Sequence, residues 1–246
     1  MITASTGNHG QSIAYAAALF GVKAVICMPE DANPVKVDSM RALGAEIVFH
    51  GRDFDEARER CEKLASARGY RYVHAGNEPL LIAGVATQSL EILEEQPDIE
   101  AIVVPVGGGS GAGACIVANA VGPSVKVIGV QSEAAPAAYR SWKARRLLTD
   151  RMETFAEGIA TRTAFELPQR ILWDSLDDFV LVSETELRDA TRLMIAKTRN
   201  LVEPAGAAPL AAVMHKPARF ADRRVAVLCS GGNISPDHPR ALLAGG

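Results

Sequence analysis

Ala101-Ile102-Val103-Val104-Pro105-Val106-Gly107-Gly108-Gly109-Ser110-Gly111-Ala112-Gly113 is an apolar run that stops abruptly in glycine. Residues 101–105 do not alternate with polar residues, which suits a strand covered on both faces, the usual state of strands in parallel sheets flanked by helices. Behind them lie five glycines in seven residues, from Gly107 to Gly113. A plain connection does not require so large a backbone-entropy cost. The missing Cβ atoms let successive backbone N–H groups converge at the start of a helix, where the helix dipole adds partial positive charge. Such a turn is a cradle for phosphate. A tight strand-to-helix turn without a ligand is the alternative reading.

Outward from this stretch, the apolar period switches repeatedly between the helical and the strand template, as in βαβ construction. Upstream, residues 9–19 read as an alanine-rich helix ended by Gly21, and 23–28 as a short buried strand. Asn33-Pro34 caps a helix to Leu43, and 45–49 is the next strand. A third helix over 53–68 precedes a strand over 70–74, and 79–95 makes a longer helix. Downstream come a helix to about Val121, a strand over 126–130, a short helix over 135–143 and a charged, weakly periodic surface excursion over 144–162. An amphipathic helix over 184–198, another helix within 202–214 and a last strand over 225–229 complete the pattern. The expected fold is α/β, with two open sheet-and-helix domains of mostly parallel strands. The smaller domain spans 1–96, and the larger, carrying the glycine loop, spans 97–246.

Composition narrows the class. With 48% hydrophobic and 22% charged residues and a mean hydropathy of +0.07, the 246-residue chain is neither disordered nor built mainly of membrane spans. Twenty-six basic against 29 acidic residues give a net charge of -3, which supplies no field for nucleic acid or anionic membrane. Cys27, Cys61, Cys115 and Cys229 form no CxxC pair, so reduced thiols in a cytoplasmic protein are expected rather than a zinc or redox centre. No basic and apolar leader precedes the first motif. A loop of functional composition already stands at residue five, so a segment ahead of Met1 is expected.

Three polar, glycine-bearing loops remain, at 5–11, 107–113 and 230–233. Ligands of open α/β sheets bind at such strand ends and helix starts. Ser5-Thr6-Gly7-Asn8-His9-Gly10-Gln11 offers hydroxyls, an amide and backbone donors suited to a carboxylate or phenolate oxygen. An ordinary Ser/Asn helix cap, with His9 packed or capping, is the plainer alternative. Ser230 could meet a ring nitrogen. Gly109-x-Gly111-x-x-Ala114 followed by Glu133 also satisfies a weak dinucleotide fingerprint, which leaves the other two loops unexplained. No Walker lysine follows the glycines, and 108–112 misses a GxSxG nucleophile elbow at its last position.

Together these pieces resemble the fold-type II pyridoxal-phosphate enzymes, most closely the threonine/serine dehydratase and serine racemase group. Ser5-Thr6-Gly7-Asn8-His9-Gly10-Gln11, Gly107-Gly108-Gly109-Ser110-Gly111, Glu203-Pro204-Ala205-Gly206-Ala207-Ala208 and Ser230-Gly231-Gly232-Asn233 stand in the family's order with compatible spacing. The resemblance implies a lyase that removes water from a β-hydroxy amino acid such as L-threonine or L-serine and releases a 2-oxo acid and ammonia. Pyridoxal 5'-phosphate is the implied cofactor. Asn8 would bond its 3-hydroxyl oxygen, Gly107, Gly108, Gly109, Ser110 and Gly111 would cradle its phosphate, and Glu203 would join the cofactor site. Ser230 would face the pyridine nitrogen and leave it largely unprotonated, which favours β-elimination over transamination. Ser5, Thr6, Gly7 and His9 would hold the substrate carboxylate, with Glu78 on the substrate side. A dimer or tetramer is the implied assembly.

Three departures qualify the resemblance. The family's Schiff-base lysine lies ahead of the Ser-Gly-Asn-His loop in a Ser-x-Lys-x-Arg-Gly context. None of the seven lysines here (Lys23, Lys36, Lys63, Lys126, Lys143, Lys197, Lys216) stands in it. Thr6 is then the one candidate for catalysis, and the chain is expected to be inactive alone. Where metal-dependent relatives place a glutamate and an aspartate, this chain has Gln131 and Ala137, so no metal is expected. Thr6 and Glu78 also resemble features of racemases, in which a second-face hydroxyl reprotonates the α-carbon. Racemisation therefore stays open, as does a non-catalytic phosphate-ligand or dinucleotide binder.

Overall fold

Three short strands, β1 (Ile2–Ala4), β2 (Val25–Met28) and β3 (Glu46–Phe49), form a parallel sheet in the order β1-β2-β3 in the computed structural model, which describes residues 1–234. The register runs from Ile2↔Val25 and Val25↔Glu46. Helix α1 (Asn8–Leu19) turns Ala14 and Ala17 onto this sheet, against Ile26 and Met28 of β2 and Met40 of helix α2 (Pro34–Ala42). Asn33 starts α2 by accepting the Val35 N–H at 3.0 Å, with Pro34 at the first helical position. Asp53 caps helix α3 (Phe54–Arg68) through the Glu56 N–H at 3.0 Å, and Gly69, at φ 65°, closes it.

The strand expected over 70–74 does not form. It contributes one bridge, Ile2↔Tyr72, because the Val73 carbonyl that would extend the ladder accepts the Thr3 hydroxyl at 2.7 Å instead.

Contacts divide the chain into Met1–Ala75 and Gly76–Gly246, earlier than the boundary expected between residues 96 and 97. Helix α4 (Pro79–Glu95) belongs to the second unit because it packs on helix α5 (Gly113–Val121). A Cβ on Gly113 would lie 2.9 Å from the Ala86 backbone, so the absent side chain lets the two helices meet.

The second unit is built on a parallel sheet of order β6-β5-β4-β7. Strand β4 (Ala101–Pro105) is central, flanked by β5 (Lys126–Ser132) and β7 (Val225–Val227), with β6 (Asp178–Val182) beyond β5. Ile102 and Val104 enter one core with Leu172 and Phe179, and Ala101 and Val103 enter another with Val130, Leu187 and Ala208. This two-sided burial is why β4 reads as a continuous apolar run.

Helix α6 (Ala137–Ala144) follows β5, and helix α7 (Glu166–Ser175) leads into β6; the sequence reading assigned neither α7 nor β6. Ser183 opens helix α8 (Glu184–Thr198) with a reciprocal capping box to Glu186. Helix α9 (Pro204–His215) fits beside it through Ala205, Ala207, Ala208, Ala211 and Ala212, all buried. The 144–162 excursion is irregular as expected, but it is not wholly on the surface. Ala156 and Ile159 are buried, and the Glu184 carboxylate anchors the segment by accepting from Thr154 Oγ1 at 2.8 Å and the Phe155 N–H at 3.0 Å. None of the helices of the described residues is long and apolar enough to cross a membrane.

Candidate active site

In the first unit, the loop after β1 gathers Ser5, Thr6, Gly7, Asn8 and His9 at the start of α1. Buried Ser5 turns its hydroxyl inward, and Oγ accepts the N–H of Gly7 at 3.0 Å and of Gly10 at 2.8 Å. It therefore shapes the loop, and only its proton remains to be donated. The His9 ring is engaged too. The buried Thr3 hydroxyl donates to Val73 O, so Nε2 of His9, 2.8 Å from Thr3 Oγ1, donates to that oxygen. Loss of solvent around the ring lowers the His9 pKa against the opposing pull of Val73 O, which favours neutral imidazole. The expected substrate contact of His9 is thus left to its backbone. The N–H groups of Thr6 and His9 and the hydroxyl of Thr6 have no partner among the described residues. Helix α1 carries no acidic residue in its first turn, so nothing there offsets its positive end.

Buried Lys36 escaped the sequence reading. Its stem crosses the loop so closely that a Cβ on Gly7 would stand 2.7 Å from Lys36 Cδ and 3.1 Å from Nζ. The other six lysines are exposed or half-buried. Gly7 carried the signal that could have found it, since a glycine at a helix start marks a close approach as readily as a turn.

In the second unit, the glycine loop leaves the carboxyl end of β4, turns at Gly109 with φ 108° and enters a 3-10 turn, Ser110–Ala112, before α5. Gly107, Gly109 and Gly111 are buried, yet the backbone N–H groups of residues 107–111 donate to nothing among the described residues. Buried donors without acceptors cost about 1–3 kcal/mol each. Three of them, with the half-buried amides of Gly108 and Ser110 in the same turn, stand ahead of a helix with no acidic residue in its first turn and fit the oxygens of a phosphate monoester. The residues present thus suit the phosphate end of the expected cofactor. The space beside Gly108 is not where the anion sits: a Cβ there would fall on the Phe165 ring, so packing also requires that glycine.

Buried Glu203 and the 230–233 loop come to the same sheet end, since β7 pairs with β4 through Val103↔Val227. The Glu203 N–H donates to Gly231 O at 3.1 Å, which ties the start of α9 to that loop. Gly158 stands between Glu203 and the cradle: a Cβ on Gly158 would be 3.4 Å from Glu203 Oε1, and one on Gly107 would be 2.7 Å from Gly158 O. Ser230 is exposed and its hydroxyl has no partner among the described residues. Glu78 immediately precedes α4, half-buried, and Glu133 is exposed. At the position compared with a metal ligand, buried Gln131 uses Oε1 to accept the Tyr139 N–H at 3.0 Å.

A family model described as pyridoxal-phosphate dependent enzyme matches residues 1–231. An L-threonine ammonia-lyase of Thermotoga maritima is 40% identical over 238 residues, covering 95% of this chain and 59% of that protein. The chain thus spans about three-fifths of that relative's length. Among solved structures, a threonine deaminase from T.th. superposes with a TM-score of 0.88 at 40% identity, covering 95% of this chain and 77% of the other. Serine racemase from Dictyostelium discoideum superposes with a TM-score of 0.87 at 31% identity, covering 96% and 76%.

Proposed function

Since the chain belongs to the family of pyridoxal-phosphate dependent enzymes, we propose that the protein is a lyase acting on a β-hydroxy amino acid such as L-threonine or L-serine, releasing a 2-oxo acid and ammonia. The observation that carries this reading is the row of N–H groups at residues 107–111, which follow β4 and have no acceptors among the described residues. When bound, pyridoxal phosphate supplies an electron sink that acidifies the α-proton of an amino acid and loosens its β-hydroxyl.

The chain's own residues bind and orient, while none of its seven lysines stands in the context of the family's Schiff-base lysine, which would take the α-proton. The 107–111 amides and the positive end of α5 hold the phosphate monoester. Glu203, beside the same loop, closes the cofactor site. Ser230 offers the pyridine nitrogen a hydroxyl rather than a carboxylate, so that nitrogen is not held as a cation. Asn8 orients the 3-hydroxyl oxygen. The Thr6 and His9 amides would receive the substrate carboxylate in a loop whose shape Ser5 and Gly7 set, and Glu78 would lie on the substrate side. The Thr6 hydroxyl, without a partner among the described residues, also supports a second reading as an amino-acid racemase, in which it returns a proton to the α-carbon.

Four cysteines present as free thiols support a reducing, cytoplasmic setting. Leu19 and Phe20, exposed at the end of α1, support self-association as a dimer or tetramer. The test is 2-oxo acid release from L-threonine and L-serine with pyridoxal phosphate by residues 1–246 preceded by a Ser-x-Lys-x-Arg-Gly segment, with chiral analysis of residual serine; residues 1–246 alone are expected to give no product. From the extended chain, oxo acid without D-serine supports the lyase, D-serine alone supports the racemase, and neither product rejects both.

A further inference from the structure

Phe165, which immediately precedes α7, is buried although it lies beside two loops made largely of small and polar residues. Its ring rests on two glycines from separate parts of the second unit. A Cβ on Gly108 would overlap ring carbon Cε2, and a Cβ on Gly76 would overlap Cδ2. One glycine belongs to the phosphate cradle, and the other stands two residues before Glu78. The same turn is tied down beside the ring, since the Leu167 N–H donates to Asn77 Oδ1 at 3.0 Å. Pro168 adds a further contact, 2.5 Å from where a Cβ on Gly109 would stand. The ring is therefore a spacer clamped between two backbones. A flat, rigid side chain with two torsions suits that task, and neither loop can shift towards the other while it is present.

Resting on the functional reading above, we propose that Phe165 is a positioning residue that sets the distance between the phosphate cradle and the Glu78 loop. By doing so it limits the β-substituent of the amino acid admitted between them. On that reading the cofactor would be anchored at its phosphate by one loop, and the other loop would carry Glu78 on the substrate side. The width of the spacer then fixes the room left at the β-carbon, enough for the hydrogen of serine or the methyl of threonine.

The test combines Phe165→Ala, the milder Phe165→Leu, Gly108→Ala and the pair Gly108→Ala with Phe165→Ala, all in the full chain. Gly108→Ala alone should lower Tm by about 5 °C, because its methyl meets the ring. In the Phe165→Ala background the same change should cost nothing; an equal loss in both backgrounds would overturn the spacer. With pyridoxal phosphate, and with residues 1–246 preceded by a Ser-x-Lys-x-Arg-Gly segment, Phe165→Ala should raise kcat/KM for β-phenylserine relative to L-threonine about tenfold, with Phe165→Leu in between. Turnover with an unchanged ratio in both variants overturns this inference alone. Absence of turnover on any β-hydroxy amino acid by that lysine-bearing protein without these substitutions overturns the functional reading, and the substrate limit falls with it.

Discussion

The loop after β1 and the loop after β4 look alike as sequences, short and polar with glycine, yet they are built in opposite ways. In the first, the side chains hold the loop: Ser5 takes two amides, and His9 and Thr3 close on Val73. In the second, packing holds the loop through absent side chains, and its amides are left without acceptors among the described residues. The residue types that advertise chemistry most loudly, a serine and a histidine, turn out to shape the backbone. In both loops it is main-chain N–H groups that remain without acceptors among the described residues.

Removing one hydroxyl from each loop tests that contrast most severely. Ser5→Ala leaves the Gly7 and Gly10 amides without their acceptor and should destabilise the first unit by about 3 kcal/mol in urea denaturation. Ser110→Ala, whose hydroxyl has no partner among the described residues, should change stability by less than about 0.5 kcal/mol. Equal losses would erase the difference between the loops. A somewhat smaller effect is expected at Gly109, where φ is 108°: Gly109→Ala should cost about 2 kcal/mol and weaken phosphate binding, both visible when melting curves are recorded with and without inorganic phosphate.

The His9 ring sharpens the comparison through pH. Its folded pKa lies below the usual 6.5, so the unfolded chain binds more protons as pH falls through that value. The stability it contributes is therefore present above pH 6.5 and is lost on acidification below it. His9→Gln should flatten this slope in pH-dependent denaturation, and an unaltered slope would mean the ring is not enclosed as described. The mildest test concerns the thiols. Burial pushes the Cys115 thiol up to about 12, and Cys27 and Cys61 are buried, whereas Cys229 is exposed. A maleimide should label Cys229 first in the native protein, as peptide mapping would reveal.

Much of this architecture was legible because its signals are local. The start of α4 at Pro79 and the limits of β4, an apolar run ended by glycine, follow from the sequence, as does α8 from its amphipathic pattern over 184–198. What failed to show depends on partners distant in the chain. The strand expected over 70–74 loses its ladder to the Thr3 side chain some 70 residues away, a competition that no periodicity encodes. Segment 144–162 hides Ala156 and Ile159 in the core because Glu184 holds it there. The family motifs marked the candidate loops, but Lys36 and Phe165 stayed invisible, since each is recognised only by a missing Cβ that it approaches.

The central claim is that the 107–111 amides bind the cofactor's phosphate. Titrating isotope-labelled protein with inorganic phosphate and following the amide resonances tests it directly. Saturable shifts of Gly107, Gly108, Gly109, Ser110 and Gly111, reproduced by pyridoxal phosphate, are the predicted result. Saturable binding that leaves those five resonances unmoved would contradict it.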